Sequence, residues 1–147
     1  MKTIKLFCLG LFALLTFQAC EQKEKDVSVE PVTISDLTCP GAVFSGVATA
    51  GVTYNGVFTV PYTGGDGSTY TSDNGVSSTG VMGMQAILVP GTLALGSGLI
   101  TYGVTGTPAT SGVASFVITF GGRSCTVAFP VSGSPITPNP VGDPAGE

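Results

Sequence analysis

The sequence predicts an all-β protein, an antiparallel β-sandwich of about seven strands, on three observations. Short runs alternate apolar and small polar side chains, the period of a strand with one buried face. Turn signals rich in Gly, Pro, Asn and Asp separate these runs at about 8–12-residue intervals, as in a sandwich. Charged residues make up only 10 % of the chain and no stretch of the domain sustains a helical period. Exposed helix faces would need more charge, whereas Ser and Thr suffice to cover the outer faces of sheets.

The chain opens with Lys2 and Lys5 followed by the apolar run LFCLGLFALL, Leu6 to Leu15. A basic start and a short apolar run are the pattern of a secretory signal peptide, and a membrane span would need about twenty apolar residues. Thr16-Phe17-Gln18-Ala19-Cys20 places a small residue before a cysteine and resembles the bacterial lipobox. That resemblance implies cleavage after residue 19 and a lipid-bearing Cys20; the alternative is an ordinary signal peptide with an incidental cysteine. Several buried acyl chains would anchor the protein at about 0.8 kcal/mol per CH₂. Glu21 to Asp26, EQKEKD, reads as a polar tether within residues 20–30. Its acidic residues resemble the surface-export signals of Bacteroidetes lipoproteins. The expected location is therefore the bacterial outer membrane, lipid-anchored and exposed at the cell surface, with a periplasm-facing orientation as the alternative.

Residues 31–132 carry the strand candidates. Val27 to Cys39 leads in, with Pro31 suited to an edge. Val43 to Thr49 is a short strand with Gly46 as a bulge candidate. In Val52 to Thr63, Phe58, Val60 and Tyr62 share a face, Asn55-Gly56 reads as a turn or bulge, and Pro61 confines the end of the run to an edge. Gly64 to Gly80, with five Gly and two Asp, reads as a loop with a short strand near Tyr70. Val81 to Val89 puts Met82, Met84, Ala86 and Leu88 on one face. Leu99 to Thr105 does the same for Ile100, Tyr102 and Val104. The clearest element is a hairpin over residues 112–131, turning at Gly121-Gly122. A Gly-Gly loop favours a primed two-residue turn, which pairs Phe120 with Arg123, Ile118 with Cys125 and Phe116 with Val127. The inner face then holds Phe116, Ile118, Cys125, Val127 and Phe129. Residues 133–147, with four Pro in fifteen positions, read as an extended tail.

Four cysteines are present. Cys8 lies in the signal segment and Cys20 is the acylation candidate. Cys39 and Cys125 remain, an even pair in an oxidising compartment: either a disulfide or two buried thiols. Closing so long a loop would stabilise by roughly 4–5 kcal/mol in the chain-entropy picture.

Function classes are bounded more sharply than function itself. Net charge is −4, and beyond Asp26 the only base is Arg123. A phosphate backbone needs clustered Lys and Arg, so nucleic acid is excluded as a partner. With no His in the chain and no Lys in the domain, the many serines lack a base, and no cofactor motif is present; the chain reads as no enzyme. Asp66 and the Asp73-Asn74 pair could offer oxygens to Ca²⁺, but their spacing lacks the EF-hand pattern. Two Cys without His cannot complete a zinc site, so no metal site is expected. Tyr54, Tyr62, Tyr70 and Tyr102 could form a sugar-stacking platform, or pack in the core with a hydroxyl at water.

Two regions carry a family resemblance. One is GTLALGSGLITYGVTGTPATSGVASFVITFGGRSC, Gly91 to Cys125; the other joins Ile34 to Cys39, ISDLTC, with Val60 to Gly65, VPYTGG. Together they resemble the Ig-like repeat of Bacteroidetes and Fibrobacter cell-surface proteins, over residues 34 to 131. The resemblance implies an Ig-like sandwich in an exported protein and a Cys39–Cys125 pair. Such modules serve as spacers, adhesins and carbohydrate-contacting units, so it supplies no activity. The expected role is structural or adhesive at the surface, with another surface protein or a glycan as partner; a glycan-binding accessory to polysaccharide capture is the alternative.

Overall fold

A computed structural model describes residues 31–134. The signal segment, Cys20, the tether and the tail beyond Ser134 lie outside them. The described chain is all β, with one short 3-10 turn at Cys39–Gly41. In order the strands are β1 (Asp36–Leu37), β2 (Val43–Phe44), β3 (Ala48–Thr49), β4 (Tyr54–Asp66), β5 (Thr69–Tyr70), β6 (Val76–Ser77), β7 (Thr79–Gly80), β8 (Met84–Leu88), β9 (Gly91–Thr92), β10 (Leu95–Gly106), β11 (Gly112–Phe120) and β12 (Arg123–Ser132). Twelve strands stand where about seven were expected, because the runs near the sheet edges are broken into two-residue pieces.

One sheet runs β1–β4–β10–β8–β6, with β2 also on β4; the other runs β3–β12–β11–β7. A small ribbon pairs β5 with β9. All ladders are antiparallel except β3 on β12. The inner faces meet in one core. Phe58 of β4 lies 5.9 Å from Phe116 of β11, ring to ring, and Phe44 lies 4.7 Å from Phe129 of β12. Inward positions alternate as a pleat demands: Phe58, Val60 and Tyr62; Ile100, Tyr102 and Val104; Phe116, Ile118 and Phe120; Val127, Phe129 and Val131 are all buried.

The hairpin has the expected register, Phe120 with Arg123, Ile118 with Cys125 and Phe116 with Val127. Gly121 and Gly122 have φ of 56° and 76°, the left-handed values that a primed turn requires.

Four expectations give way. Val43 to Thr49 is two strands on different sheets, and the chain passes from one to the other around Gly46. Asn55-Gly56 is regular ladder, facing Thr105 and Val104, rather than a turn. Pro61 sits mid-strand between two neighbours. Its carbonyl accepts the Thr38 N–H at 2.9 Å, so its missing donor faces the same side, where the chain swings out as the 3-10 turn and no ladder partner is lost. Met82 is 67 % exposed, not core. Gly83, at φ 99°, breaks the alternation, so Val81 is buried instead.

The outer edges of β4 and β8, in the larger sheet, are covered by the chain itself. Along β4, Ser35, Thr38 and Ser45 donate their N–H groups to Thr63, Pro61 and Val57. Along β8, Met84 N–H donates to Ser78 Oγ at 3.2 Å, Val76 pairs with Ala86, and Leu88 N–H donates to Asp73 Oδ1 at 3.0 Å. Unpaired edges invite other strands, and here an irregular segment occupies them.

Candidate functional site

The four tyrosines do not converge on a surface. β4 alternates so that Tyr54 and Tyr62 point inward with Phe58 and Val60, and β10 does the same for Tyr102 between Ile100 and Val104. Tyr102 stacks on Phe58 at 5.2 Å and an interplanar angle of 18°. Tyr54 packs against Phe129 at 5.2 Å. Tyr70 is half-buried, edge-on to Phe120 at 5.0 Å. The sugar-stacking platform is therefore corrected: three of the four rings are core, because they occupy inward positions of their strands.

Glycines make room for three of these rings. A Cβ on Gly98, the cross-strand partner of Tyr62, would lie 2.6 Å from Tyr62 Cζ. A Cβ on Gly91, the partner of Tyr70, would lie 2.7 Å from its hydroxyl. Gly56 stands in the same relation to the Tyr54 ring two residues before it. Rings laid over strand glycines cover backbone that would otherwise be bare.

Their hydroxyls differ. Tyr62 Oη accepts the Ala94 N–H at 2.7 Å, fastening the segment before β10 to β4. The hydroxyls of Tyr54 and Tyr102 are buried without a hydrogen-bond partner among the described residues. Burial pushes the Tyr102 hydroxyl well above the ordinary phenol range, and the nearby Asp73 carboxylate and Tyr70 push it further. Burial likewise raises Tyr70.

The aspartates of the polar segment are engaged locally. Asp66 accepts from the side chain and the backbone N–H of Ser68, the latter at 2.9 Å. The hydrogen bond from the Ser68 side chain, then that from its backbone, holds the Asp66 carboxyl below the ordinary carboxylate value. Asp73 Oδ1 accepts both Gly75 N–H and Leu88 N–H at 3.0 Å each. Neither joins a metal cage: no group of three or more His, Cys, Asp or Glu converges among the described residues.

Cys39 and Cys125 form a disulfide with Cα atoms 5.8 Å apart, joining the 3-10 turn beside β4 to β12 of the other sheet.

Two features were missed from sequence. The first is the bonding of the segment before β8, where Asp73 and Ser78 serve strand β8; the loop composition signalled polarity but not partners. The second is the outer face of the larger sheet. Val57 faces Gly103, which faces Ile87; Thr59 faces Thr101, and Leu99 faces Pro61. Val43, Val57, Ile87, Val89 and Leu99 are exposed there. The doubly apolar reading of β4, with Val57 outward beside inward Phe58, was the available signal.

No family model matches the chain, and no match is found among the curated proteins or the solved structures.

Proposed function

We propose that the chain is a cell-surface lipoprotein whose Ig-like domain has a structural or adhesive, non-catalytic role. The observation that carries this reading is the fate of the reactive side chains. Of those singled out in the domain, three tyrosines are core, both aspartates are spent on neighbouring N–H groups, and both cysteines are in a disulfide. What remains on the surface is largely Ser, Thr and aliphatic side chains, the latter gathered in part on the outer face of the larger sheet, material for contact and not for bond-making.

The Ig-like reading draws on strand order. Taken in sequence, β1, β4, β8 and β10 assemble as β1–β4–β10–β8, and β7, β11 and β12 as β7–β11–β12. With β2, β3, β5, β6 and β9 set aside, these orders match ABED and CFG of a constant-type immunoglobulin domain, which supports the reading. The disulfide differs, since it joins the first and last strand regions instead of the central strands of each sheet. The anchor reading draws on the sequence: Lys2 and Lys5, the short apolar run, and Ala19-Cys20 before a polar stretch.

Fatty-acid labelling of cells expressing the full chain tests the anchor. Wild type should incorporate label and Cys20→Ala should not; labelled Cys20→Ala would refute it. A glycan array on the same protein tests the non-glycan role, and reproducible saturable binding to one sugar class would overturn it.

A further inference from the structure

The chain enters and leaves the sandwich at opposite ends. Ile34 N–H donates to Gly121 O at 3.2 Å, and a Cβ on Gly121 would press on Ile34. The incoming segment is thus pinned at the hairpin turn. From that turn β12 runs extended from Arg123 to Ser132, a distance of about 30 Å at strand rise. At its far end Ala50 N–H donates to Ser132 O at 2.9 Å, and β3 lies parallel to Val131 and Ser132. Tension along this axis loads the β11–β12 ladder, continuous from Gly112–Val131 to Phe120–Arg123, in shear rather than by unzipping.

The disulfide then decides where that tension goes. Only β1 lies between Ile34 and Cys39, so a pull on the incoming chain can strip β1 and no more before it reaches Cys39. There the covalent path crosses to Cys125, near the start of β12, and follows β12 to the exit. β2 to β11 all lie inside the closed loop, whose ends are 86 residues apart in sequence.

We propose that this domain is a load-bearing link, in which tension between its flanking segments passes through Cys39–Cys125 and along β12, so that the enclosed sandwich is never drawn out. This property rests on the topology and the disulfide alone and stands whether or not Cys20 carries lipid. The outer path, Ile34 to Cys39 and Cys125 to Ser132, has only about twelve residue steps, about 42 Å when taut. Against about 30 Å in the fold, and with 5.8 Å for the bridge, full extension gains about 20 Å. Without the bridge the same pull unravels the whole domain, a gain of about 300 Å.

The test is single-molecule pulling on the full chain, with handles attached through non-thiol chemistry at positions 31 and 134. Each molecule is stretched in oxidising buffer and then again after reductant is added. With the few residues between the handles and the outer path included, the expected result is extension steps of no more than about 35 Å before reduction and a total gain of about 300 Å or more after it, a roughly ten-fold change. A reduced chain that is already extended at low force gives the same long gain and supports the proposal equally. Steps of about 300 Å in the oxidised molecule, or short steps under both conditions, would overturn it. Because the readout is length, failure here is separate from loss of fatty-acid labelling at Cys20.

Discussion

Asp73 Oδ1 accepts the Leu88 N–H at 3.0 Å and so stands in for a strand that the β8 edge lacks at that position. The same oxygen accepts Gly75 N–H, which shapes the turn into β6. Leu88 is buried, so its N–H has little access to water. Asp73→Ala should therefore destabilise by about 1–3 kcal/mol, the range for a buried donor left unpaired. Urea denaturation checks it. The loss should be equal with calcium and with chelator, because the carboxylate serves the backbone; a loss seen only in calcium would make Asp73 a metal ligand instead.

How far the sequence could be read follows from where each signal lives. The hairpin was legible to the residue, because a Gly-Gly turn and two alternating runs demand the same register. The inward faces of β4 and β10 were legible for the same reason. Asp73 was not, since an Asp-rich loop looks alike whether it binds an ion or an N–H, and Leu88, its partner, lies fifteen residues away. The four tyrosines left two readings open. Their alternation with Phe58, Val60, Ile100 and Val104 was the better guide, and it pointed to the core. Pro61 and Asn55-Gly56 are turn-forming residues by type, but the tertiary ladder on either side of β4 sets their conformation.

The tyrosine hydroxyls should separate by partner. Tyr62→Phe removes the acceptor of the Ala94 N–H and should cost about 1 kcal/mol. Tyr102→Phe removes a buried hydroxyl with no partner among the described residues, so it should be neutral or stabilising by up to about 1 kcal/mol. Thermal and urea unfolding of the two variants side by side provide the check. A Tyr102→Phe loss as large as that of Tyr62→Phe would mean that the Tyr102 hydroxyl is bonded in solution.

Gly98→Ala should be disproportionately costly for an addition of one methyl. Its Cβ would lie 2.6 Å from Tyr62 Cζ and still closer to the hydroxyl, and the ring cannot retreat without abandoning Ala94. Overpacking of this kind costs about 1–3 kcal/mol. Combined with Tyr62→Phe, which removes the nearest atom, the penalty should be partly relieved. The coupling from a double-mutant cycle should therefore be about 0.5 kcal/mol or more in the compensating direction. Strict additivity would place the strain elsewhere than against Tyr62.

Alkaline pH should weaken the fold through Tyr102. Burial, with Asp73 and Tyr70 adding to it, raises the folded-state value of this phenol above that of the unfolded chain, near 10. A group whose folded value is raised holds its proton more tightly when native. Its contribution is therefore fully present below about pH 10 and is lost as pH climbs from there toward the folded value. The slope from this one group should reach about 1 kcal/mol per pH unit. Tyr70, raised in the same direction but only half-buried, should add less. Urea midpoints between pH 8 and 11, taken with free thiols alkylated so that the Cys39–Cys125 bridge cannot exchange, would show the decline. Tyr102→Phe should flatten most of it; an unchanged slope in Tyr102→Phe would assign the alkaline loss to another group.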